Sequence, residues 1–247
     1  MEKDYARAFV KFGKEYKIMT EQIKQLQSNQ LRRIICIGDS LTEGDYGSEP
    51  EGTANVKPQS YPYFLQKYLG ANTNVINAGK CGFNAVVYWK RTLKTLDVEN
   101  ADVIVIMLGT NGEMTDSIEA DTRSSNYEAY ADTEAGRYCS IIEYLMEKNS
   151  KTTICICTCP YVDGTRRPRK AKNVAMANQV IPKIAARYHL PLFDVNGEMG
   201  VNDFNTKIVQ PIDGLHGGIL FYNRLANYIG SKILSVSRLA GQQLEDL

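Results

Sequence analysis

The stretch Arg-Arg-Ile-Ile-Cys-Ile-Gly-Asp-Ser-Leu-Thr-Glu-Gly, residues 32–44, decides the fold that we predict for this chain. Its apolar run at 34–37 predicts a buried strand, and Gly38 ends the strand because a residue without a Cβ can turn sharply. Asp39 and Ser40 then follow the carboxyl end of the strand. In an open parallel sheet this edge surrounds a crevice where reacting groups collect. Ser40 is therefore a candidate nucleophile.

The chain after this stretch alternates between strands and helices. Apolar runs predict strands at 74–77, 101–108, 152–158 and 191–195, and amphipathic patterns predict helices at 60–69, 85–96, 125–148, 173–188 and 219–234. Crossover-length connections between strands indicate a mainly parallel sheet. We therefore expect an α/β domain over residues 31–247, a three-layer α/β/α sandwich around a flavodoxin-like sheet of about five strands.

An amphipathic helix is predicted before this domain, over residues 1–30. Its apolar residues alternate between spacings of four and three, as in a heptad repeat, and they are Tyr5, Phe9, Phe12, Tyr16, Met19, Ile23 and Leu26. The stripe is narrower than the face of an ordinary core helix, so the helix could join two copies of the chain into a homo-oligomer. Alternatively it packs along its own domain, since Gly13 weakens the helix and three heptads are few.

Composition argues against several classes of protein. The 247 residues carry a formal net charge of +1, which disfavours an electrostatic nucleic-acid binder. No apolar run is long enough to cross a bilayer, and residues 1–5 lack the apolar core of a signal peptide. We therefore expect a soluble protein with no membrane span, and favour the cytoplasm unless a signal peptide has been removed.

Three cysteines alternate along the strand predicted at 152–158. Cys155, Cys157 and Cys159 have a spacing of two, which places them on one face of a strand. A metal or redox site would need further ligands, and the chain contains only two histidines. We expect these thiols to pack as small apolar side chains and expect no metal.

The two histidines are the candidate bases for a serine hydroxyl. His189 falls at the end of a predicted helix, where a capping role is expected. His216 lies three residues after Asp213, so the Asp213 carboxylate could accept the proton of one ring nitrogen while the other nitrogen faces Ser40. These are the roles that the histidine and the aspartate have in a Ser-His-Asp triad. Taken alone, Asp-Gly-Leu-His also fits an ordinary turn.

Four short motifs together carry a family resemblance. They are Gly-Asp-Ser-Leu at 38–41, Asn-Ala-Gly-Lys-Cys-Gly at 77–82, Leu-Gly-Thr-Asn at 108–111 and Asp-Gly-Leu-His at 213–216. In this order they resemble the four blocks of the GDSL, or SGNH, hydrolase family. The resemblance implies a serine esterase that needs no metal or organic cofactor, with Ser40 as nucleophile, His216 as base and Asp213 as its orienting acid. It also implies an oxyanion hole made by the N–H groups of Ser40 and Gly82 and the side-chain amide of Asn111.

The third block departs from the family pattern. The family usually continues Gly-x-Asn-Asp, whereas Gly112 follows Asn111 here. The amide donor is retained, but acidic support from the next position is lost. We therefore expect other contacts to orient Asn111. Asp39 is the other acid near the nucleophile, and we expect it to organise the loop.

The substrate is less constrained, because the family includes carbohydrate deacetylases, lysophospholipases, thioesterases and arylesterases. No long apolar lid segment is evident, and the loops are rich in Tyr, Asn and Gly. The sequence therefore favours a small acyl group, such as acetyl, on a carbohydrate. A lipid acyl hydrolase of the lysophospholipase or thioesterase type, an acyltransferase with the same site, and a non-catalytic binding module are the alternatives.

A basic run at 166–172 contains Arg166, Arg167, Arg169, Lys170 and Lys172. Such a run could steer an anionic substrate towards the site. Since charge runs usually serve solubility, we expect a solvated surface loop instead.

Overall fold

The computed structural model describes residues 33–44, 60–115 and 127–245, with side chains described up to residue 236. The predicted helix over residues 1–30 lies outside these ranges. Its role in oligomerisation therefore stays a prediction.

Five strands form one parallel sheet in the described part of the chain, in the order β2-β1-β3-β4-β5. The strands are β1 (Arg33–Gly38), β2 (Asn74–Gly79), β3 (Val103–Met107), β4 (Thr153–Cys157) and β5 (Leu192–Phe193). In the centre, β1 pairs Gly38 with Gly79 of β2 and with Met107 of β3. The predicted α/β fold with a parallel, flavodoxin-like sheet is confirmed, and the loops after β1, β2 and β3 leave the sheet at one edge.

Helices cover both faces of this sheet. They are α1 (Ser40–Glu43), α2 (Tyr61–Leu69), α3 (Ala85–Arg91), α4 (Glu134–Lys148), α5 (Pro168–Tyr188), α6 (Val195–Glu198), α7 (Thr206–Val209) and α8 (Ile219–Glu245), with a 3-10 turn at Leu93–Thr95. Helix α2 packs against α8, and α3 packs against α4. Crossovers between parallel strands are right-handed as a rule, and this handedness puts the two pairs on opposite faces. Every residue of β3 is buried, as expected for a strand covered on both faces. None of the helices in the described ranges is long and apolar enough to span a membrane.

Helices α4 and α8 differ from their predicted bounds. Helix α4 begins at Glu134 rather than near residue 125, because the Thr133 hydroxyl accepts a hydrogen bond from the Gly136 N–H at 3.1 Å and caps the helix there. Helix α8 continues to Glu245, beyond the predicted end at 234.

The start of α5 changes the interpretation of the basic run. The helix begins at Pro168 rather than at the predicted Asn173, because proline lacks the N–H that the first turn of a helix leaves unpaired. Arg169, Lys170 and Lys172 therefore lie on a helix and not in a surface loop.

The three alternating cysteines are fully buried beneath the helices. Cys155, Cys157 and Cys159 each have a relative exposure of 0 %. Burial raises the pKa of the Cys155 thiol to about 12, so this group is neutral at physiological pH. Within the described ranges, no three His, Cys, Asp or Glu side chains are grouped so that they could hold a metal ion. The thiols pack as small side chains.

Close backbone packing fixes α1 to the sheet. A Cβ on Gly79 would lie 2.2 Å from the Glu43 backbone nitrogen, and a Cβ on Gly38 would lie 2.0 Å from Thr42 Oγ1. Neither position has room for a side chain. Helix α1, which begins with Ser40, therefore lies directly against the ends of β1 and β2.

We expect Gly79→Ala to lower the free energy of unfolding by about 1–3 kcal/mol, the usual cost of forcing an extra methyl group into a packed site. The added Cβ would meet backbone atoms of α1, which cannot move independently of the sheet. Gly164→Ala is the matched control, since its Cβ would meet only the Ala171 Cβ, at 3.7 Å. Guanidinium denaturation measures both variants, and equal midpoints for them would contradict this account of the packing.

Candidate active site

Ser40 is the first residue of α1, directly beyond the carboxyl end of β1. Asp39 caps this helix, because its Oδ1 accepts a hydrogen bond from the Leu41 N–H at 2.9 Å. Ser40 itself is only 4 % exposed. Asp39 thus organises the turn that presents the serine.

The Asp39 carboxyl group is almost completely buried. Its second oxygen, Oδ2, has no hydrogen-bond donor among the residues that the structure describes. Burial raises the pKa of Asp39 to about 6, against the opposing effects of the Leu41 N–H, the Thr110 side chain and the nearby His216 and Lys170 charges. At neutral pH the site therefore holds a poorly solvated anion next to the serine.

The structure brings Ser40, His216 and Asp213 together in one chain of contacts. Ser40 Oγ lies 2.9 Å from His216 Nε2, and His216 Nδ1 lies 2.8 Å from Asp213 Oδ2. A carboxylate accepts only, so Nδ1 carries the proton and Nε2 is left to accept from the serine hydroxyl. This arrangement can remove a proton from the serine when the serine attacks an electrophile.

The turn at 213–216 is held by its own backbone. Asp213 Oδ1 accepts the N–H groups of Leu215 and His216 at 2.9 and 2.8 Å. Burial acts to raise the pKa of the Asp213 carboxyl, but the hydrogen bonds from the His216 ring and from these two N–H groups lower it below the usual range overall. Asp213 therefore stays ionised and keeps the His216 ring in one tautomer.

The basic run contributes to this turn, which corrects the expectation of a solvated surface loop. Arg167 Nη2 donates to Asp213 Oδ2 at 2.8 Å, and Arg166 Nη1 donates to the Pro211 carbonyl oxygen at 3.1 Å. Arg166 is itself fixed by Asp163, whose Oδ2 lies 2.6 Å from its Nε. Apart from the excess of positive charge, nothing in the sequence indicated these contacts.

The loops that carry Gly82 and Asn111 are tied together at the same edge. Asn111 Nδ2 donates to the Phe83 carbonyl oxygen at 3.1 Å, and the Lys80 N–H donates to the Gly38 carbonyl oxygen at 3.0 Å. Gly82 has a φ of 74°, in the left-handed region that favours glycine. In the described parts of the chain, neither the Ser40 N–H nor the Gly82 N–H meets an acceptor. Both donors are thus available to a ligand.

Glu134 braces these loops from α4, and sequence reasoning missed it. Its Oε2 accepts the Ala85 N–H at the start of α3, at 2.9 Å. A Cβ on Gly112 would lie only 3.0 Å from Glu134 Cδ and 3.1 Å from Asn84 Nδ2. A carboxyl group therefore lies beside position 112, although it is supplied by a distant helix. Burial raises its pKa to about 7.

Fold and site together define a serine hydrolase of the SGNH class. The family model described as the GDSL-like lipase/acylhydrolase family matches residues 36–218. The chain belongs to this family and is an ester-hydrolysing enzyme. The comparison with curated proteins gave no match.

Solved structures share this fold at low sequence identity. The lipase/acylhydrolase from Enterococcus faecalis has 24% identity and a TM-score of 0.59 over 82% of this chain and 95% of its own. The M. smegmatis aryl esterase has 20% identity and a TM-score of 0.57, over 83% and 99%. Est24, a carbohydrate acetylesterase from Sinorhizobium meliloti, has 18% identity and a TM-score of 0.58, over 83% and 99%. At these identities the likeness concerns the fold.

We expect Glu134→Gln to remove a pH dependence of stability. Because the pKa of folded Glu134 is about 7 rather than 4.5, its protonation stabilises the fold fully below pH 4.5, and this stabilisation is lost as pH rises through 7. The free energy of unfolding of Glu134→Gln, relative to that of wild type, should therefore rise between pH 4.5 and pH 7. Guanidinium unfolding at a series of pH values measures it, with the exposed Glu147→Gln as control. Parallel curves for wild type and Glu134→Gln would contradict the assignment.

Proposed function

We propose that this enzyme is a serine esterase that hydrolyses a small acyl ester, acetyl in the first place, on a carbohydrate. Ser40 is the nucleophile, His216 the general base and Asp213 the residue that orients His216. The observation that carries the proposal is the 2.9 Å contact between Ser40 Oγ and His216 Nε2, with Asp213 on the far side of the ring. No other histidine contacts this serine in the described part of the chain.

The reaction proceeds through an acyl-enzyme. Ser40 Oγ attacks the ester carbonyl carbon while His216 Nε2 takes the hydroxyl proton, and Asp213 stabilises the resulting imidazolium. The tetrahedral intermediate collapses when His216 returns the proton to the leaving alcohol. A water molecule, deprotonated by His216, then attacks the acyl-enzyme and releases the acid and the free serine.

Negative charge on the carbonyl oxygen needs donors that already point towards it. We assign this role to the N–H groups of Ser40 and Gly82 and to the side-chain amide of Asn111. Support comes from the two backbone N–H groups without an acceptor among the described residues, and from the Asn111 amide, which has a second hydrogen beyond the one donated to Phe83.

The side chains that line a cleft beside Asn111 support a carbohydrate as the alcohol. The cleft has a volume of ≈ 510 Å³ and is lined by Gly112, Glu113, Arg169, Lys170 and Asn173. Charged and amide groups can bind the hydroxyl groups of a sugar. The fold shared with a carbohydrate acetylesterase is consistent with this choice.

A lipid acyl hydrolase is the second candidate, and one observation favours it. Large apolar side chains are exposed in the segments that precede and follow the 213–216 turn in the sequence, and they are Phe204 (97 %), Ile208 (71 %), Ile219 (53 %) and Leu220 (49 %). Exposed apolar groups next to a catalytic loop could contact an acyl chain or a lipid surface. The two candidates differ in the acyl chain that they prefer.

We expect Ser40→Ala to abolish labelling by a fluorophosphonate and to lower kcat/KM for p-nitrophenyl acetate at least about 10³-fold, because the nucleophile is removed. The exposed Ser231→Ala is the matched control and should behave as wild type. If Ser40→Ala is still labelled and still hydrolyses p-nitrophenyl acetate, the nucleophile is another residue. A wild-type protein that is not labelled and does not hydrolyse the ester would favour the binding-module alternative.

We expect kcat/KM for p-nitrophenyl esters to be highest for acetyl and to fall with chain length, and acetylated sugars to release acetate. The charged and amide side chains at the cleft beside Asn111 can bind the hydroxyl groups of a sugar. Release of free acid, measured with and without an added sugar acceptor, separates hydrolysis from acyl transfer. A preference for long chains that Phe204→Ser abolishes would overturn the carbohydrate assignment and favour the lipid candidate.

A further inference from the structure

The side chain of Asn111 is held from both ends. Its Nδ2 donates to the Phe83 carbonyl oxygen, and its Oδ1 accepts a hydrogen bond from Lys170 Nζ. An ammonium group only donates and a carbonyl oxygen only accepts, so these two partners fix which end of the amide is which. Lys170 Nζ also lies 3.4 Å from the Thr110 carbonyl oxygen. The lysine thus binds both the side chain and the backbone of this loop.

Lys170 lies where a cation is locally unfavourable. It is in the first turn of α5, a helix whose first turn has no acidic residue and no side-chain cap. A positive charge is disfavoured there by the helix dipole. Burial lowers the pKa of Lys170, as do Arg167 and Arg169, while the Asp39 carboxylate acts in the opposite direction. A position that breaks a local rule in this way is often a functional one.

We propose that Lys170 is a positioning residue for the ester hydrolysis, which holds Asn111 by Oδ1 so that the remaining Nδ2 hydrogen faces the carbonyl oxygen of the substrate. This inference rests on the proposed function of Asn111 in the oxyanion hole. Lys170 takes over the orienting support that an acidic residue at position 112 would otherwise give.

The contact has two chemical effects. It fixes the amide before charge develops on the substrate, so no reorganisation is needed in the transition state. It also withdraws electron density from Oδ1, which makes the N–H at the other end of the amide a stronger donor, since hydrogen bonds in a chain polarise one another. Both effects act on the transition state rather than on the bound substrate.

Lys170 also lines the cleft beside Asn111, so direct binding of substrate is the competing role. The two roles predict different kinetics. A residue that binds substrate equally in the ground and transition states raises KM when it is removed, whereas a residue that acts through the oxyanion hole lowers kcat.

Lys170→Met tests the proposal, because methionine keeps an unbranched apolar stem and removes the ammonium group. We expect kcat for p-nitrophenyl acetate to fall about 10-fold to 10²-fold, less than the full loss of one oxyanion donor, with KM changed less than about 3-fold. Lys172→Met, an exposed lysine on the same helix, should match wild type. Unchanged kcat, or a rise in KM alone, would overturn the proposal.

A double-mutant cycle with Asn111→Ala distinguishes action through Asn111 from an independent effect. If Lys170 works through Asn111, adding Lys170→Met to Asn111→Ala should change kcat less than about 2-fold further, since residues that share one contact are not additive. A full additional loss in the double variant would overturn the proposal. Lys170→Gln replaces Lys170→Met in both experiments if the methionine variant does not fold.

The contact is also measurable without turnover. In a ¹H–¹⁵N spectrum of the full chain, the Asn111 side-chain amide signals are identified by their loss in Asn111→Ala. We expect Lys170→Met to shift these signals and Lys172→Met to leave them unchanged; signals that do not respond to Lys170→Met would overturn the proposal. Failure of the proposed function would appear separately, as wild-type protein without fluorophosphonate labelling at Ser40.

Discussion

The hydrogen bond between Ser40 and His216 joins groups that are 176 positions apart in the chain. It requires the loop after β1 and the loop before α8 to meet at one edge of the sheet, within hydrogen-bond distance. The parallel sheet makes this meeting possible, because the loops after β1, β2 and β3 all leave the sheet at its carboxyl edge. The glycines of β1 and β2 then let α1 lie directly on the strands, so the serine is packed closely against the centre of the sheet.

Charged groups at this edge are arranged in pairs around Ser40. Asp213 is held by His216 and Arg167, and the Asp39 carboxyl lies near Lys170. Each anion is poorly solvated, so it depends on a cation or on N–H donors from a neighbouring loop. The same contacts that compensate these charges also fix the loops, and this links the electrostatics of the site to its geometry.

The sequence predicted the sheet and the residues at its edge more reliably than the contacts that support them. Apolar runs bounded by glycine located β1, β2 and β3 within a few residues, and the four short motifs pointed to Ser40, Gly82, Asn111, Asp213 and His216. The supporting contacts were missed because they join distant parts of the chain. Arg167 lies 46 positions from Asp213, and Lys170 lies 59 positions from Asn111. No periodicity or motif encodes such distances, and the start of α5 at Pro168 was needed to place Lys170 on a helix.

The sequence by itself determined the α/β class, the parallel sheet and the family. These depend on local hydrophobic patterns and on short motifs, each of which lies within a few consecutive residues. Only the tertiary structure decided which side chains hold the motifs in place. Glu134 fills the space beside Gly112, Lys170 binds Asn111 and Arg167 binds Asp213, because folding brings α4 and α5 against loops that are remote in sequence. Local patterns involve residues that are close in sequence, whereas the packing of one element on another depends on the relative placement of all the elements between them.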